Sequence, residues 1–194
     1  MDLRPIFPQR NDINQSNYYW FNGGFDNNEI EKIIEDSKKY DFVNATIVDE
    51  ENTNKVRKSS VKWLPHDERW SWLTDKIISL VLDANKIWAF DLHSIIDDIQ
   101  YTEYDGEGGH YDWHIDIGPD NISHRKISIV IQLSDENDYV GGDLELMTGN
   151  GHSVVPRGKG NVAIFPSFLL HRVTPLTSGN RKSLVLWVGG GHYK

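Results

Sequence analysis

The sequence contains no cysteine and no apolar run long enough to cross a membrane, which takes about 18 to 20 residues. The absence of thiols excludes disulfide bonds, thiolate zinc sites, iron–sulfur clusters and cysteine nucleophiles. Any metal must therefore be bound by histidine and carboxylate side chains. The N-terminal residues also lack the basic-then-apolar order of a secretion signal, so we expect a soluble, cytoplasmic protein with no membrane partner.

Positive charge is also scarce. Twenty basic residues stand against 29 acidic ones, and the formal net charge is −9. Such a chain repels a phosphate backbone, so we expect no nucleic-acid partner. Hydrophobic residues make up 38% of the chain, enough to form a core, and no repeat or linker divides the 194 residues. We therefore expect one domain over residues 1–194. The composition does not distinguish a monomer from an oligomer.

Two helices are predicted in the first half of the chain. Asp26 and Glu29 have the spacing of a capping box, and isoleucines follow at helical intervals. A second apolar stripe extends over residues 67–88. Residues 42–63, between the helices, have strand-like composition, and a short strand is predicted at residues 18–21.

From residue 95 the apolar period changes from about 3.6 to 2, which indicates short strands separated by turns. We expect a mainly β, α+β fold with a closed or sandwiched sheet over residues 95–190, supported by residues 1–94 and the two helices. Turns are predicted at Gly141–Gly142, Thr148–Gly151, Arg157–Gly160 and Ser178–Asn180. The eight predicted strands are Ile95–Glu103, Tyr111–Ile117, Lys126–Leu133, Asp143–Met147, His152–Val155, Asn161–Phe165, His171–Thr174 and Lys182–Val188.

Two overlapping His-x-Asp patterns stand out, His110 with Asp112 and His114 with Asp116. Such pairs are common by chance, and an ordinary surface pair is the alternative explanation. On a strand, residues two apart project from the same face, so an imidazole and a carboxylate at this spacing can bind one metal.

His171 is the best third ligand, because Leu169, Leu170 and Val173 predict a partly buried strand around it. A buried imidazole without a partner is costly, so burial favours a ligand role. Two histidines and one carboxylate on a divalent metal leave open coordination positions and suit non-haem Fe(II).

Arg181 follows ten residues later and shares one strand face with Ser183. Taken alone, an arginine on a strand is more often solvated or ion-paired. Beside a metal site, a guanidinium with a nearby hydroxyl can bind a carboxylate, which would anchor an acidic cosubstrate.

These motifs, in this order, resemble the Fe(II)- and 2-oxoglutarate-dependent dioxygenases, and most resemble the prolyl-4-hydroxylase-type branch. The likeness covers roughly residues 95–190, while residues 1–94 match only loosely. It is carried by the stretches Gln100–Asp116, Arg125–Ser134, Tyr139–Leu146 and Phe165–His171, followed by Arg181 and Trp187.

The resemblance implies a double-stranded β-helix, a cupin-like jelly roll with N-terminal supporting helices. It also implies His114, Asp116 and His171 as the iron ligands and catalytic residues, and Tyr111 three residues before His114 favours this pair over His110 with Asp112. Arg181 then matches the residue that binds the distal carboxylate of 2-oxoglutarate. Further positions implied are Tyr101, Ser183 and Gln132 toward the cosubstrate, and Tyr111, Arg125 and Trp187 at the substrate mouth.

The implied activity is hydroxylation of a prolyl residue in a peptide or protein. It would use Fe(II), O2 and 2-oxoglutarate, with ascorbate as a candidate reductant, and would release succinate and CO2. Three alternatives stay open at this point. They are the same chemistry on a free amino acid or other small molecule, a non-catalytic cupin-like metal or ligand binder, and a zinc hydrolase. A zinc hydrolase does not require a carboxylate clamp, the name we give to the carboxylate-binding pair Arg181 and Ser183.

The other charged features are less informative. The basic run Lys55–Lys62 fits either the edge of the site or a solvated edge strand protected by charge. Surface positions are expected for the remaining histidines, His66, His93, His124, His152 and His192.

Overall fold

A computed structural model describes residues 16–45, 53–149 and 151–191, so the prediction for His192 lies outside the described residues. The helices are α1 (Asn27–Ser37), α2 (Thr53–Val56) and α3 (Ser71–Ala84). The strands are β1 (Tyr19–Phe21), β2 (Val43–Asn44), β3 (Arg57–Lys58), β4 (Ser60–Leu64), β5 (Leu92–Asp105), β6 (His110–His114), β7 (Arg125–Gln132), β8 (Tyr139–Gly141), β9 (Leu144–Met147), β10 (His152–Val154), β11 (Val162–Pro166), β12 (His171–Val173) and β13 (Leu176–Gly190).

Helix α1 begins where its sequence predicts. The Asp26 carboxylate accepts from the Glu29 backbone N–H at 2.9 Å, and the Glu29 side chain accepts from the Asp26 N–H at 2.8 Å, which completes the capping box. Helix α3 is shorter than the predicted span of residues 67–88. It ends because the Asn85 side chain bonds both backbone groups of Phe90, which draws the chain away from the helix axis.

The strands form two antiparallel sheets, as expected for the mainly β jelly roll. The larger sheet has the order β1-β11-β7-β13-β5-β4-β2, with β8 paired to one end of β13. The smaller sheet has the order β10-β9-β12-β6-β3. Strands β2, β3 and β4 lie within residues 43–64, close to the predicted 42–63; β3 joins the smaller sheet and β2 and β4 the larger, so the N-terminal half contributes directly to the sandwich.

One apolar layer lies between the larger sheet and the helices, as predicted. Ile33 of α1 and Ile77 of α3 are fully buried there against Ile129 of β7 and Leu184 of β13. A second apolar layer, including Phe165 and Leu144, fills the space between the two sheets. The helices thus cover the outer face of the larger sheet, and the inner face is left for a site.

One turn prediction is wrong in the region of strand β13. A turn was expected at Ser178–Asn180, but the strand continues through these residues, pairing first with β8 and then with β5 and β7. Gly179 makes this continuity possible, since its φ of +79° is one that glycine adopts without strain. Strand β8 also includes Gly141, which was expected in a turn.

Strand β6 ends at His114, three residues before the predicted end at Ile117. Asp116 therefore lies in the loop after the strand, where its N–H donates to the Ser167 carbonyl at 2.9 Å. Within the described residues, no helix has the length and apolar character required to span a membrane.

Candidate metal centre

The His114, Asp116 and His171 side chains converge at one end of the smaller sheet. Strand β12 pairs with β6 so that His171 lies directly opposite His114. One potential ligand atom from each of the three residues lies within 4.8 Å of the others. The Asp116 carboxylate is 3.7 Å from His114 Nε2 and 3.6 Å from His171 Nε2. Three donor atoms at this separation surround a space suited to one metal ion.

Backbone and hydroxyl groups orient these ligands. Nδ1 of His114 lies 2.7 Å from the Asp112 carbonyl, and Nδ1 of His171 lies 2.9 Å from the Leu169 carbonyl. Each Nδ1 therefore carries the proton, which leaves Nε2 free to bind a metal. Ser128 donates its hydroxyl to the second oxygen of Asp116 at 2.6 Å.

The ionisation states also suit a divalent cation. Burial, assisted by the nearby His171, lowers the pKa of His114 to about 3, so its imidazole is neutral at physiological pH. Burial alone would raise the pKa of Asp116, but the adjacent imidazoles of His171 and His114 and the Ser128 hydroxyl hold it below its ordinary value. Neutral imidazole and ionised carboxylate are the forms that coordinate metals.

A cavity of about 750 Å³ opens beside these ligands, between the two sheets. Arg181 and Ser183 line it from β13, and Arg181 is only 3% exposed. Within the described part of the chain, no carboxylate forms an ion pair with Arg181. A buried guanidinium facing a cavity can bind a carboxylate through two parallel hydrogen bonds. The donor set and this clamp together fit Fe(II) and 2-oxoglutarate.

Comparison with known proteins agrees with this geometry. Residues 99–189 match the 2OG-Fe(II) oxygenase superfamily. This segment is a 2OG-Fe(II) oxygenase domain. The chain resembles a PKHD-type hydroxylase of Teredinibacter turnerae, with 40% identity over 86 residues, which cover 42% of this chain and 38% of that protein. The chain thus spans about two fifths of the length of this curated relative.

Solved structures share the fold over most of the chain. A Trichoplax adhaerens prolyl hydroxylase, in complex with a hypoxia inducible factor peptide fragment, has a TM-score of 0.76 and 19% identity, covering 93% of this chain and 86% of its own. A Pseudomonas putida prolyl-4-hydroxylase has a TM-score of 0.70 and 19% identity, covering 93% of this chain and 96% of its own. The two-sheet fold of this chain is thus the fold of these prolyl hydroxylases.

Tyr101 does not lie where the resemblance placed it. Its ring packs in the layer beneath the helices, next to Phe42, and its hydroxyl donates to Glu103 at 3.3 Å. Tyr104, three residues further along β5, lies on the opposite face, lines the cavity and packs 5.5 Å from the Arg181 guanidinium. Because alternate residues of a strand face opposite sides, Tyr104 is the one of the two tyrosines that lines the cavity beside Arg181.

Gln132 lies behind the main cavity. Its amide donates to the Tyr139 hydroxyl at 2.9 Å, and both residues border a separate small cavity of about 20 Å³ that also touches Arg181. Gln132 is thus a neighbour of the clamp, and the described structure gives it no place in the wall of the main cavity.

The three residues predicted at the substrate mouth all line the main cavity. The Tyr111 ring stacks on His114, with 3.4 Å between ring centroids. The Arg125 guanidinium lies 3.8 Å from the centroid of a Trp187 ring. Its Nη1 donates to the backbone carbonyl of Asp116 at 3.2 Å.

The rival pair is separated from the metal centre. His110 contacts the backbone carbonyls of Gly108 and Lys55, at 2.8 and 3.1 Å, and Asp112 accepts from the Trp113 N–H. Both ring nitrogens of His110 are thus occupied by the backbone. His114 with Asp116 is the pair that meets His171.

Sequence reasoning missed three cavity residues from the N-terminal half, Val56, Arg57 of β3 and Trp63 of β4. Val56 and Arg57 fall in the basic run of residues 55–62, and the alternative that this run borders the site was correct for Arg57. No local pattern shows that β3 pairs with β6, so the spatial relation of Arg57 to Tyr111 could not be read from the sequence.

Proposed function

We propose that this protein is an Fe(II)- and 2-oxoglutarate-dependent dioxygenase that hydroxylates a prolyl residue in a peptide or protein. The observation that carries the proposal is that His114, Asp116, His171 and Arg181 line one cavity. A metal site beside an unneutralised, buried guanidinium suits an acidic cosubstrate bound next to the metal. A zinc hydrolase or a simple metal binder gives Arg181 no role.

Different residues of the chain bind the metal, bind the cosubstrate and exclude water. His114, Asp116 and His171 would hold the Fe(II), while Arg181 and Ser183 bind and orient the distal carboxylate of 2-oxoglutarate. The bound metal supplies the oxidation: one oxygen atom of O2 enters succinate as 2-oxoglutarate loses CO2, and the other enters a substrate C–H bond. Val185 and Trp187, on the same face of β13, form an apolar wall that keeps water from the reacting atoms.

Support for a prolyl substrate comes from the known relatives and from the cavity wall. The similar fold of prolyl hydroxylases, one of them bound to a peptide, and the placement of Tyr111, Arg125 and Trp187 agree with a peptide entering above the metal. The same chemistry on a free amino acid or other small molecule is the second candidate, because Arg57 adds a further cation to the cavity. Cytoplasmic location and the absence of nucleic-acid and membrane partners stay predictions.

Succinate release tests the proposal. Purified protein is supplied with Fe(II), ascorbate and 2-oxoglutarate, with and without proline-containing peptides or free proline. We expect 2-oxoglutarate-dependent succinate, and at least a hundredfold loss in His171→Ala because a metal ligand is removed. Arg181→Gln should raise the KM for 2-oxoglutarate at least tenfold, since a charged hydrogen bond is worth about 1.5–3 kcal/mol.

Lys182→Gln is the matched control. Lys182 is adjacent in sequence, but it points away from the cavity toward Glu103, so its loss should change the KM less than twofold. No succinate under any of these conditions would overturn the dioxygenase assignment. Full activity in His171→Ala would overturn the ligand assignment.

A further inference from the structure

A second guanidinium faces the cavity from the smaller sheet. Arg57 of β3 is 7% exposed, lines the cavity, and its Nη2 is buried with no hydrogen-bond partner. Its Nε donates to the Ser59 hydroxyl at 2.9 Å. Among the described residues, no carboxylate forms an ion pair with Arg57. A buried cation without a counter-charge is costly, so this position is suited to an anion that comes from outside the chain.

The other two cavity arginines are already accounted for. Arg125 is neutralised by Asp97, whose carboxylate lies 2.9 Å from its Nε and 2.8 Å from its Nη2. Arg181 is the proposed partner of 2-oxoglutarate. Arg57 is therefore the cavity guanidinium, within the described chain, that still lacks an anionic partner.

Stacked rings fix the distance of Arg57 from the metal centre. Its guanidinium lies 4.5 Å from the centroid of the Tyr111 ring, and that ring stacks on His114 with an angle of 14° between the planes. One aromatic ring thus separates the guanidinium from a metal ligand. An anion bound by this guanidinium would lie in the same cavity as the metal ligands and Arg181.

We infer that Arg57 binds a carboxylate of the substrate, and that the enzyme therefore selects an acidic substrate. This inference rests on the proposed function and names its substrate class. The planar guanidinium, which lines the cavity and has no ion-pair partner among the described residues, matches a carboxylate. The carboxylate can belong to a free amino acid or to an acidic side chain next to the modified proline of a peptide.

Paired probes that differ only in charge test this inference. The free-acid arm compares L-proline with L-prolinamide. The peptide arm compares Ac-Ala-Asp-Pro-Ala-NH2 and Ac-Ala-Pro-Asp-Ala-NH2 with their asparagine counterparts. Binding is measured by titration calorimetry on the protein alone, and on the protein with Fe(II) and 2-oxoglutarate under argon, where no turnover occurs.

We expect the acidic member of at least one pair to bind the wild-type protein at least tenfold more tightly than its neutral partner. Arg57→Gln should abolish that preference, and Arg57→Lys should retain part of it, because the positive charge is kept. Lys58→Gln is the control. Lys58 is the next residue of β3 and bonds the Glu107 carbonyl outside the cavity, so its variant should bind like the wild type.

Equal binding of acidic and neutral probes to the wild type, or no binding of any acidic probe at millimolar concentration, would overturn the inference. An equal loss for both members of a pair in Arg57→Gln would also overturn it, since that result indicates packing against Tyr111 alone. Succinate release is scored separately. An Arg57-dependent preference without succinate release would refute the proposed function while leaving the anion site in place.

Discussion

Asp97 fixes the Arg125 guanidinium in the cavity wall. Asp97 has a left-handed backbone, with φ of +61°, where the β5–β13 pairing shifts register. Its carboxylate binds Arg125, and its carbonyl lies 2.6 Å from Nε2 of His66. This strained residue holds Arg125 against Trp187, so one backbone irregularity determines the shape of the cavity wall.

Two substitutions at Asp97 separate the charge from the backbone conformation. Asp97→Asn keeps a residue type that tolerates positive φ but removes the ion pair, and we expect it to lower the free energy of unfolding by about 1 kcal/mol. Asp97→Ala should cost about 1–2 kcal/mol more, because alanine is strained in this region. Urea unfolding measures both.

Asp98→Asn is the control for these variants, since Asp98 is exposed and adjacent. It should leave the free energy of unfolding within about 0.5 kcal/mol of the wild type. Equal stability of the asparagine and alanine variants at position 97 would contradict the strain argument.

At the scale of elements, β13 organises the site. Its alternate residues Arg181, Ser183, Val185 and Trp187 line the cavity, while Leu184 and Leu186 pack beneath the helices. The strand also pairs with β5, β7 and β8. One strand therefore links the clamp, the apolar wall and the core, and its N-terminal part depends on Gly179.

Replacing Gly179 tests this dependence. A β-carbon at Gly179 would overlap the Asp138 carbonyl oxygen, in addition to the strain at φ of +79°. We expect Gly179→Ala to lower the free energy of unfolding by about 3 kcal/mol or more, measured by urea unfolding. Gly149→Ala is the control, because Gly149 also has positive φ but open space around it, and it should cost only about 1 kcal/mol. Equal losses would show that the close approach to Asp138 is unimportant.

For the whole molecule, the site is divided between the two sheets. The histidine ligands lie on the smaller sheet and the clamp lies on the larger one. A metal ion with 2-oxoglutarate would bridge them, and ligands that bind only the folded state stabilise it by about 2.7 kcal/mol at a hundredfold excess over Kd.

Thermal unfolding checks this bridging. We expect Mn(II) with 2-oxoglutarate to raise the Tm more than the sum of the two separate increases, because each ligand completes the site of the other. In Arg181→Gln only the increase due to the metal should persist. Additive increases in the wild type would argue against a shared site.

The sequence was most informative where the pattern is local. Asp26 and Glu29 predicted a helix start, and the period-two strands predicted the β sandwich, because both depend on neighbours in the chain. The ligands His114, Asp116 and His171 came from spacing and the family resemblance, and the structure brings them together.

What could not be predicted depends on contacts distant in sequence. Tyr101 was expected to point toward the cosubstrate, but it packs beneath the helices, because the family likeness does not fix which face of β5 a residue occupies. Arg57 reaches the cavity only through pairing with Tyr111, 54 positions later. The left-handed Asp97 follows from the register shift between β5 and β13, which no local composition indicates.

The pairing of β5 with β13 has a consequence for folding during synthesis. Strand β5 leaves the ribosome long before β13. Until β13 is made, the edge of β5 that pairs with it has no hydrogen-bonding partner. Contacts this distant in sequence form slowly, since a long loop must close before they can stabilise anything. The nascent chain would thus expose the unpaired edge of β5 until β13 is made, and an unpaired strand edge favours aggregation.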